Sequence, residues 1–567
     1  YLDDGYTYDF NELNINVYGS NSHALYVGGG SNLILDDKTS LNSFNESSYA
    51  LYSNGGTVIN TDTLNVFGNI LSSNNGDISL VFNDTSSFMG STALSNGGNL
   101  DLSFDNSVWT VTRNSILNDL NLSNGASVNI NGSSEFITLI TDNLFGNGAF
   151  DVKIDANNSL NDKIIIGNSS YGNHIVRFDD RTTGGYVSNG SLSLSIVENS
   201  NPSGDYQANF SGQIELGAFI YSLTWDNQSS TYYVGDISPS GNNNSNNANS
   251  STGGVNPPPA PQTSSANSSV GFAMINYAIN YINTQNILKR MGELRERNSH
   301  EQSNVMGDMW VRTYIGKLGS FDDSSKIDGV GYYGVQIGTD KLSYLSNGRL
   351  YTGLTFGYLK ADADYEKGES QSRLYDVGIY ALYKDDNDFY ADAVIKYIQN
   401  KNSFDTVTVN NLSVNGNGDS NGFSLSAEVG KRYSLKNNFY IEPQAELTYT
   451  KQGELSVKSS NNLKTSIEGF DSYLARGSII AGYKLKDTIN IYVKTGFMRE
   501  LDGKTSYAFN NNQNTKKESY TPNRNSFDNA FGVTLSSDSH NFYIEGNYQK
   551  GDEFDNMGLN VGYRYGF

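Results

Sequence analysis

The stretch that decides the fold is LYDVGIYALYKDDNDFYADAVIKYIQ, residues 374–399. It contains two runs in which apolar and polar side chains alternate, separated by a short acidic turn. In the first run Val377 and Ile379 belong to one face, whereas Asp376 and Tyr380 belong to the other. Strands of soluble β-sandwiches usually have about five or six residues, but these runs have about ten to twelve, the length that a tilted strand needs to cross a bilayer. The stretch therefore predicts a transmembrane β-hairpin.

The same alternation recurs along the C-terminal half of the chain. It predicts twelve strands, at residues 308–316, 329–341, 348–359, 373–384, 388–398, 423–434, 439–450, 470–484, 489–499, 527–535, 542–550 and 556–567. The connections alternate between short turns such as 385–387 and long loops such as 360–372 and 399–422. Outer-membrane barrels have short periplasmic turns and long outer loops, whereas a soluble β-sandwich, the alternative fold, has no reason to sort its loops in this way. The pattern favours a 12-stranded transmembrane antiparallel β-barrel over residues 299–567, with both of its chain ends on the periplasmic side.

The polar face of these strands predicts the lining of the barrel. We expect seven charged side chains to point into the lumen: Asp376, Asp392, Lys396, Glu442, Glu446, Lys494 and Arg564. On the apolar face, several strands carry Tyr or Phe near an end, where the aromatic girdles of membrane barrels lie. Outer-membrane lipid is therefore the predicted environment of this face.

The first half of the chain has a different pattern. Residues 1–237 contain short β segments separated by Gly-rich turns, such as Asn75-Gly76 and Asn96-Gly97. A spacing of about 20 residues per turn is typical of the coils of a parallel β-helix, and Asn and Gly accept the left-handed backbone of its tight corners. A β-sandwich with long strands is the alternative. Because no helical pattern interrupts the series, the sequence favours a right-handed parallel β-helix, and the whole chain is predicted to be all-β apart from one helix.

A linker and that helix connect the two halves. Residues 238–269 are rich in Asn, Ser and Pro and contain no charged side chain, which is typical of a linker. The segment 270–298 carries apolar residues at helical spacing, namely Phe272, Ile275, Ile279 and Ile282, with Asn276, Asn280, Asn283 and Asn286 as a polar face. If the β-helix lies outside the cell, a segment must pass through the barrel. We predict that this helix spans the pore and that its polar face meets the polar lumen.

Composition and motifs exclude several classes of function. The 567 residues carry a net charge of −22 and no Cys, which excludes disulfides and thiolate sites and argues against nucleic-acid binding. Residues 1–237 alone hold 6 basic and 25 acidic side chains. The segment Gly418-Asp419-Ser420 lies in a predicted barrel loop without a nearby His, and a chance match is the better interpretation. Acidic pairs such as Asp179-Asp180 lack a regular ligand spacing. We predict no catalytic residue, no metal site and no cofactor.

Several motifs resemble those of the type V autotransporters. They are ILKRMGELRERN (287–298), MWVRTYIGKLG with IDGVGYYGVQIGTDK (309–341), FYIEPQAELTY (439–449) and GLNVGYRYGF (558–567). Residues 107–236 resemble the pertactin-like end of an autotransporter passenger, called the autochaperone region, through the motifs GNGAFDVKID (146–155), DKIIIG (162–167) and GAFIYSL (217–223). The resemblance implies a passenger β-helix at 1–106, an autochaperone region at 107–237, the linker, the pore helix and the barrel. The passenger is expected to be truncated before Tyr1, or to have lost a signal peptide there.

The resemblance also implies a function and partners. The barrel would insert into the bacterial outer membrane and deliver the passenger, residues 1–237, to the cell surface as an adhesin or virulence-type factor. Tyr563, Tyr565 and Phe567 would be read by the barrel-assembly machinery, with periplasmic chaperones as further partners and ligands on host or neighbouring cells as targets. Trp109, Leu120, Leu122, Ile164 and Ile166 would form the first passenger core to fold. An enzymatic domain upstream of this segment and a porin-like channel remain alternatives.

Part of the family cleaves itself at an Asn in the pore helix. The Asn-Asn pair used by some relatives is missing from residues 270–298. The sequence therefore favours the simpler interpretation, in which the Asn residues only line the pore.

Overall fold

A computed structural model describes residues 1–183, 186, 191–240, 260–296, 307–319, 327–486, 488–509, 518–520, 525–537, 539–552 and 555–567, with the side chains of 286–296 and 518–520 left out. The chain separates into two compact units, Tyr1–Pro261 and Gln262–Phe567. Much of the predicted linker, at 241–259, lies outside the described residues. Among the helices that can be described, none is long and apolar enough to cross a membrane.

The N-terminal unit is a parallel β-helix. One sheet contains the parallel strands Thr7–Asn11, Asn32–Asp36, Thr57–Asn60, Asp77–Phe82, Asn99–Asp105, Ser115–Ser123, Thr138–Gly146, Lys163–Ser170 and Ser193–Asn199, followed by the antiparallel strands Thr231–Gly235 and Thr224–Asp226. A second contains Asn14–Val17, Thr39–Ser43, Leu64–Phe67, Ser87–Gly90, Val108–Val111, Ser127–Asn129, Gly148–Asp155, Asn173–Asp180 and Asn209–Ser211. A third is limited to Leu25–Gly28, Tyr49–Asn54, Asn69–Ser73 and Thr92–Ser95. Short strands at Leu160–Asn161 and Asp205–Tyr206 and the hairpin Gln213–Leu216/Phe219–Ser222 complete the unit.

Stacked side chains at the corners of this helix explain the Asn-Gly turns. Asn74 and Asn96 have φ angles of 50° and 46°, in the left-handed region that Asn tolerates. Asn96 Nδ2 donates to Asn74 Oδ1 at 3.0 Å, and Asn74 Nδ2 donates to Asn54 Oδ1 at 2.6 Å. Each turn thus uses Asn both for its backbone conformation and for a hydrogen bond to the coil before it. The predicted β-helix is confirmed.

The C-terminal unit is a closed antiparallel barrel. Its spanning strands are Gly307–Gly319, Ile327–Leu345, Gly348–Tyr365, Gly368–Asp385, Phe389–Val407, Ser413–Lys431, Phe439–Gln452, Phe470–Lys486, Ile489–Glu500, Asn525–Ser537, His540–Gly551 and Asp555–Gly566. Shorter strands at Tyr433–Ser434, Leu455–Ser459, Lys464–Ile467, Thr505–Phe509 and Glu518–Tyr520 extend the same sheet. The first and last strands pair over their whole length and close the barrel. The twelve predicted strands are confirmed.

Two predicted long loops are wrong. Instead of a loop at 360–372, strands run to Tyr365 and resume at Gly368. Instead of a loop at 399–422, they run to Val407 and resume at Ser413. The strands continue beyond the bilayer because backbone hydrogen bonds between them do not require an apolar outer face in water. Polar side-chain pairs add to these bonds, such as Ser372 Oγ, which donates to Asn402 Oδ1 at 2.7 Å.

The helix extends over Ser264–Glu296, so it begins earlier than the predicted residue 270. Thr263 caps it, since its Oγ1 accepts a hydrogen bond of 3.1 Å from the Ala266 backbone NH. Ser265 Oγ accepts a hydrogen bond of 3.3 Å from Asn461, which lies between two of the short outer strands. The helix therefore begins at the barrel end that carries these extensions, opposite the end where Gly307 meets Phe567.

Candidate functional site: the barrel interior

The helix fills the barrel with two chemically different layers. In the outer layer Phe272, Ile275 and Ile279 are buried against inward apolar side chains of the strands. The Phe272 ring, for example, lies 6.3 Å from that of Phe404, and Leu374 is fully buried in the same cluster. This apolar collar was not predicted, because the inward residues of a water-facing strand were expected to be polar. It surrounds the outer half of the helix with buried apolar side chains.

Asn283 is the centre of the inner, polar layer. Its Nδ2 donates to Asp376 Oδ2 at 2.9 Å, and its Oδ1 accepts from Lys396 Nζ at 2.9 Å and from Gln336 Nε2 at 2.6 Å. Lys396 Nζ and Gln336 Nε2 also reach the backbone carbonyl oxygen of Asn283, at 3.3 and 3.0 Å. Lys396 and Asp376 form a buried ion pair of 3.2 Å. One Asn residue thus has a carboxylate at its amide nitrogen and two donors at its carbonyl oxygen.

A second network holds the neighbouring face of the helix. Gln285 Nε2 donates to Glu446 Oε1 at 3.1 Å, and Gln285 Oε1 accepts a hydrogen bond from Arg476. Arg476 also pairs with Glu446, with Glu428 at 3.2 Å and with Asp528 at 3.7 Å. Because every one of these groups is buried, removing one partner would leave an uncompensated charge.

Further contacts reach the helix from other strands. Tyr277 donates to Glu500 Oε2 at 2.8 Å, and Asn280 Nδ2 donates to Gln452 Oε1 at 2.8 Å. Thr284 Oγ1 lies 3.4 Å from Ser424 Oγ. The described helix is therefore bonded to several strands around it rather than to one wall.

The predicted helix Asn residues have different environments. Asn280 and Asn283 make the contacts above. Asn276 is buried, and its Oδ1 has no hydrogen-bond partner among the described residues. The side chain of Asn286 lies outside the described residues.

All seven predicted lumen residues point inward, and three of them contact helix side chains that the structure describes. Asp376 and Lys396 contact Asn283, and Glu446 contacts Gln285. Of the other four, Asp392 is buried, and Glu442 forms an ion pair of 2.6 Å with Arg432. Lys494 lies 3.5 Å from Asp528, and Arg564 lies 3.3 Å from Asp308.

Comparison with known proteins identifies the family. The family model described as "Autotransporter beta-domain" matches residues 309–549, and the one described as "Pertactin" matches residues 117–233. The chain belongs to the autotransporters. The predicted family is thereby confirmed, as is the predicted location of an autotransporter barrel in the outer membrane with its passenger on the cell surface.

Curated relatives and a solved structure are similar to the chain. The chain is 36% identical over 491 residues to "Probable autotransporter YcgV" of Escherichia coli (strain K12), covering 82% of this chain and 50% of the relative. It is 26% identical over 428 residues to the pertactin autotransporter of Bordetella bronchiseptica, covering 70% and 46%. The crystal structure of the β domain of the Bordetella autotransporter BrkA aligns with 46% of this chain and all of that chain, at 24% identity and a TM-score of 0.40. The chain spans about half the length of these curated relatives.

The predicted folding core of the autotransporter passenger is buried. Trp109, Leu120, Leu122, Ile164 and Ile166 are all 0% exposed. Trp109 stacks on Phe104 of its own coil and on Phe88 of the preceding coil, and it donates its Nε1 hydrogen to the Gly90 carbonyl oxygen at 3.0 Å. The residues therefore lie in one continuous core, and their role in export remains a prediction.

Sequence reasoning missed an ion pair in the same segment. Lys153 and Asp162 are almost fully buried, and their charged atoms lie 3.1 Å apart. Asp162 also accepts hydrogen bonds from the backbone NH groups of Ile137, at 2.7 Å, and Lys153, at 2.6 Å. Burial raises the pKa of Asp162 despite these partners. The sequence does not predict this pair, because Lys153 lies within an ordinary strand pattern in which nothing indicates that its side chain is buried.

The predicted assembly signal lies on the closing strand. Tyr563, Tyr565 and Phe567 are exposed on the outer face. The backbone of Phe567 exchanges two hydrogen bonds with Gly307, at 3.0 and 3.3 Å. Phe567 thus belongs to the barrel seam, and its recognition by assembly machinery remains a prediction.

Proposed function

We propose that the barrel exports its own β-helical passenger through the lumen and that the passenger acts on the cell surface as an adhesin without catalytic activity of its own. The helix inside the barrel is the observation that supports this export route. It begins at the outer barrel end, and the passenger precedes it in the sequence. A porin-like role would need an open lumen, and the apolar collar closes it. An enzymatic domain upstream remains the alternative for the passenger.

Exposed aromatic side chains support the adhesive role. Tyr18, Phe44 and Phe67 are 72%, 50% and 39% exposed on neighbouring coils. The rings of Tyr18 and Phe44 stack at a centroid distance of 4.8 Å, and the Phe67 ring is tilted against that of Phe44 at 5.1 Å. Contiguous exposed aromatic side chains of this kind are typical of binding surfaces, where they supply much of the contact energy.

We expect the triple variant Tyr18→Ser, Phe44→Ser and Phe67→Ser to adhere at least about ten-fold less well to cultured epithelial cells. Ile175→Ser is the matched control, because Ile175 is 57% exposed but lies outside the aromatic row. Surface display of each variant is verified by external protease. Equal adherence of the triple variant and the control, at equal display, would contradict the adhesive surface.

A second activity is favoured by the contacts of Asn283. We propose that Asn283 cleaves the chain at its own carbonyl. Nδ2 attacks the Asn283 carbonyl carbon, the bond to the Thr284 nitrogen breaks, and that nitrogen takes up a proton to become a new amino terminus, while Asn283 ends as a succinimide. Asp376 is placed to accept the proton from Nδ2, and Lys396 and Gln336 are placed to stabilise the developing oxyanion.

This predicts a passenger fragment ending at residue 283 and a barrel fragment beginning at Thr284. Asn283→Gln should abolish the cleavage, and Gln336→Ala should slow it by about 10²–10³-fold, the usual effect of removing an oxyanion donor. Asn280→Gln, one helical turn away, is the control and should cleave normally. Mass spectrometry of the barrel from outer membranes measures the new amino terminus. A chain that stays intact in its wild-type form would contradict the proposal.

A further inference from the structure

Three cations lie side by side on the outer surface of the barrel wall. Lys360, Arg373 and Lys401 belong to three consecutive strands, and the register places Lys360 directly opposite Arg373 and Arg373 directly opposite Lys401. All three side chains alternate with inward-facing residues, so they point away from the lumen. Like charges directly opposite each other on a sheet destabilise the pairing. The row therefore needs an anionic partner.

The height of this cation row is fixed by its neighbours along the strands. Toward the periplasm, the next outward positions on the first two strands are Tyr358 and Tyr375, whose rings lie 5.3 Å apart. Beyond them the outward face is apolar, with Phe356 and Val377 52% and 44% exposed. The cations thus begin where the apolar band and its aromatic girdle end. Lipid phosphates lie at this level of a bilayer.

The charges are sorted by sign along the strands. Four residues beyond the cation row, on the same three strands, Asp364, Glu369 and Asp405 form a second directly paired row of the opposite charge. A surface selected only for solubility would mix the two signs. On these three strands the cations occupy the level of the headgroups, and the row of carboxylates occupies the water beyond it.

Nearby carboxylates neutralise the cation row only in part. Lys360 pairs with Asp362 at 2.9 Å and lies 6.0 Å from the centre of the Tyr333 ring. Asp419 is opposite Lys401 in register. Within the part of the chain that the structure describes, however, neither Arg373 nor Lys401 forms an ion pair. The guanidinium in the middle of the row has its donors available.

We propose that Lys360, Arg373 and Lys401 form a binding site for the phosphate groups of outer-leaflet glycolipids. Arg373 suits this role because its planar group donates two parallel hydrogen bonds to a phosphate, and the flanking Lys residues add charge without fixed geometry. A bound phosphate attracts all three cations and so offsets the repulsion between them. The site would anchor lipid to one sector of the barrel wall.

The test uses the full chain purified in a neutral detergent, with lipopolysaccharide as the probe. The triple variant Lys360→Gln, Arg373→Gln and Lys401→Gln is compared with Lys451→Gln. Lys451 is also exposed on the outer face, but its charge is already paired with Asp471, at 3.8 Å. Bound lipid is measured by native mass spectrometry, with dephosphorylated lipopolysaccharide and inorganic phosphate as separate competitors.

The wild-type chain and Lys451→Gln should bind lipopolysaccharide equally. The triple variant should bind roughly a hundred-fold more weakly, since each surface cation contributes about five-fold to binding of anionic lipid. The single variant Arg373→Gln should bind lipopolysaccharide at least about five-fold more weakly than the wild-type chain. This variant tests the proposal if the triple variant does not assemble. Equal binding by the variants, equal binding of the dephosphorylated lipid, or full displacement by millimolar phosphate would overturn the proposal.

Discussion

Replacing Leu120 and Leu122 by Ser is expected to stall export of the passenger while barrel insertion stays normal. Both leucines are 0% exposed and lie in the strand Ser115–Ser123. Leu120 is paired with Leu102 on one neighbouring coil and with Leu144 on the other. Each substitution removes a buried side chain and buries a hydroxyl, at a cost of about 3–5 kcal/mol. Together they approach the whole stability of a typical domain, about 5–15 kcal/mol.

The physical reason for the stall is the one-dimensional order of the β-helix. Each coil contacts mainly its neighbours, so a folded coil outside the cell is a template for the next one and cannot slip back. We propose that folding of these coils drives export, and the sequence contains no phosphate-binding loop. We expect the high negative charge of residues 1–237 to help keep the unfolded chain soluble before export.

Accessibility of the N-terminal passenger to external protease measures this prediction. Asn121→Ser is the matched control, because Asn121 lies between the two leucines and points outward into solvent. If the double variant reaches the surface at the normal rate and is only digested more easily there, the core serves final stability and folding-driven export through this segment is wrong.

Removing the helix should open the barrel. We expect deletion of residues 238–298 to raise the single-channel conductance of the reconstituted protein several-fold, because the lumen of an unplugged barrel fills with water. The apolar collar around Phe272 and the polar layer around Asn283 would both lose the segment that they enclose. Deletion of 241–259 alone is the control, since it leaves the helix in place. Near-zero conductance after the larger deletion would count against a helix plug.

Sequence predicted the membrane part of the barrel well because lipid imposes a strong pattern there. Val377 and Ile379 had to face outward, and their alternation with Asp376 fixed the register of the strand. The same logic failed above the membrane. Ser413–Lys431 continues through a run of Asn, Gly and Asp that contains little apolar signal. Its pairing with Phe389–Val407 on one edge and with Leu455–Ser459 on the other makes this run a strand.

The helix start was missed for a related reason. Ser and Asn are weak helix formers in water, so the residues from Ser264 read as linker. Inside the barrel, enclosure by the strands overrides this preference. The cap at Thr263 was a signal that could have placed the start earlier.

The polar layer was predictable in kind but not in detail. Arg476 and Gln336 were not among the seven predicted lumen residues, although alternation along their strands could have placed both on the inward face. Their hydrogen-bond partners could not be predicted, because Arg476 is 191 residues from Gln285 and Gln336 is 53 residues from Asn283. Only the closed barrel brings these groups together around one turn of the helix.

The central claim is that the helix lies inside the barrel, and a disulfide tests it most directly. Thr284 Oγ1 is 3.4 Å from Ser424 Oγ, so Cys at both positions would need only a small adjustment to bond. The chain contains no Cys, and the engineered pair would therefore be the only thiols. Thr284→Cys with Leu425→Cys is the control, because Leu425 is the next residue along and is exposed on the outer face.

In isolated outer membranes we expect oxidation to link Thr284→Cys to Ser424→Cys, seen as a reducible mobility shift, and to leave the control pair unlinked. Free thiols in the first pair, or equal linkage in both, would contradict a helix inside the barrel.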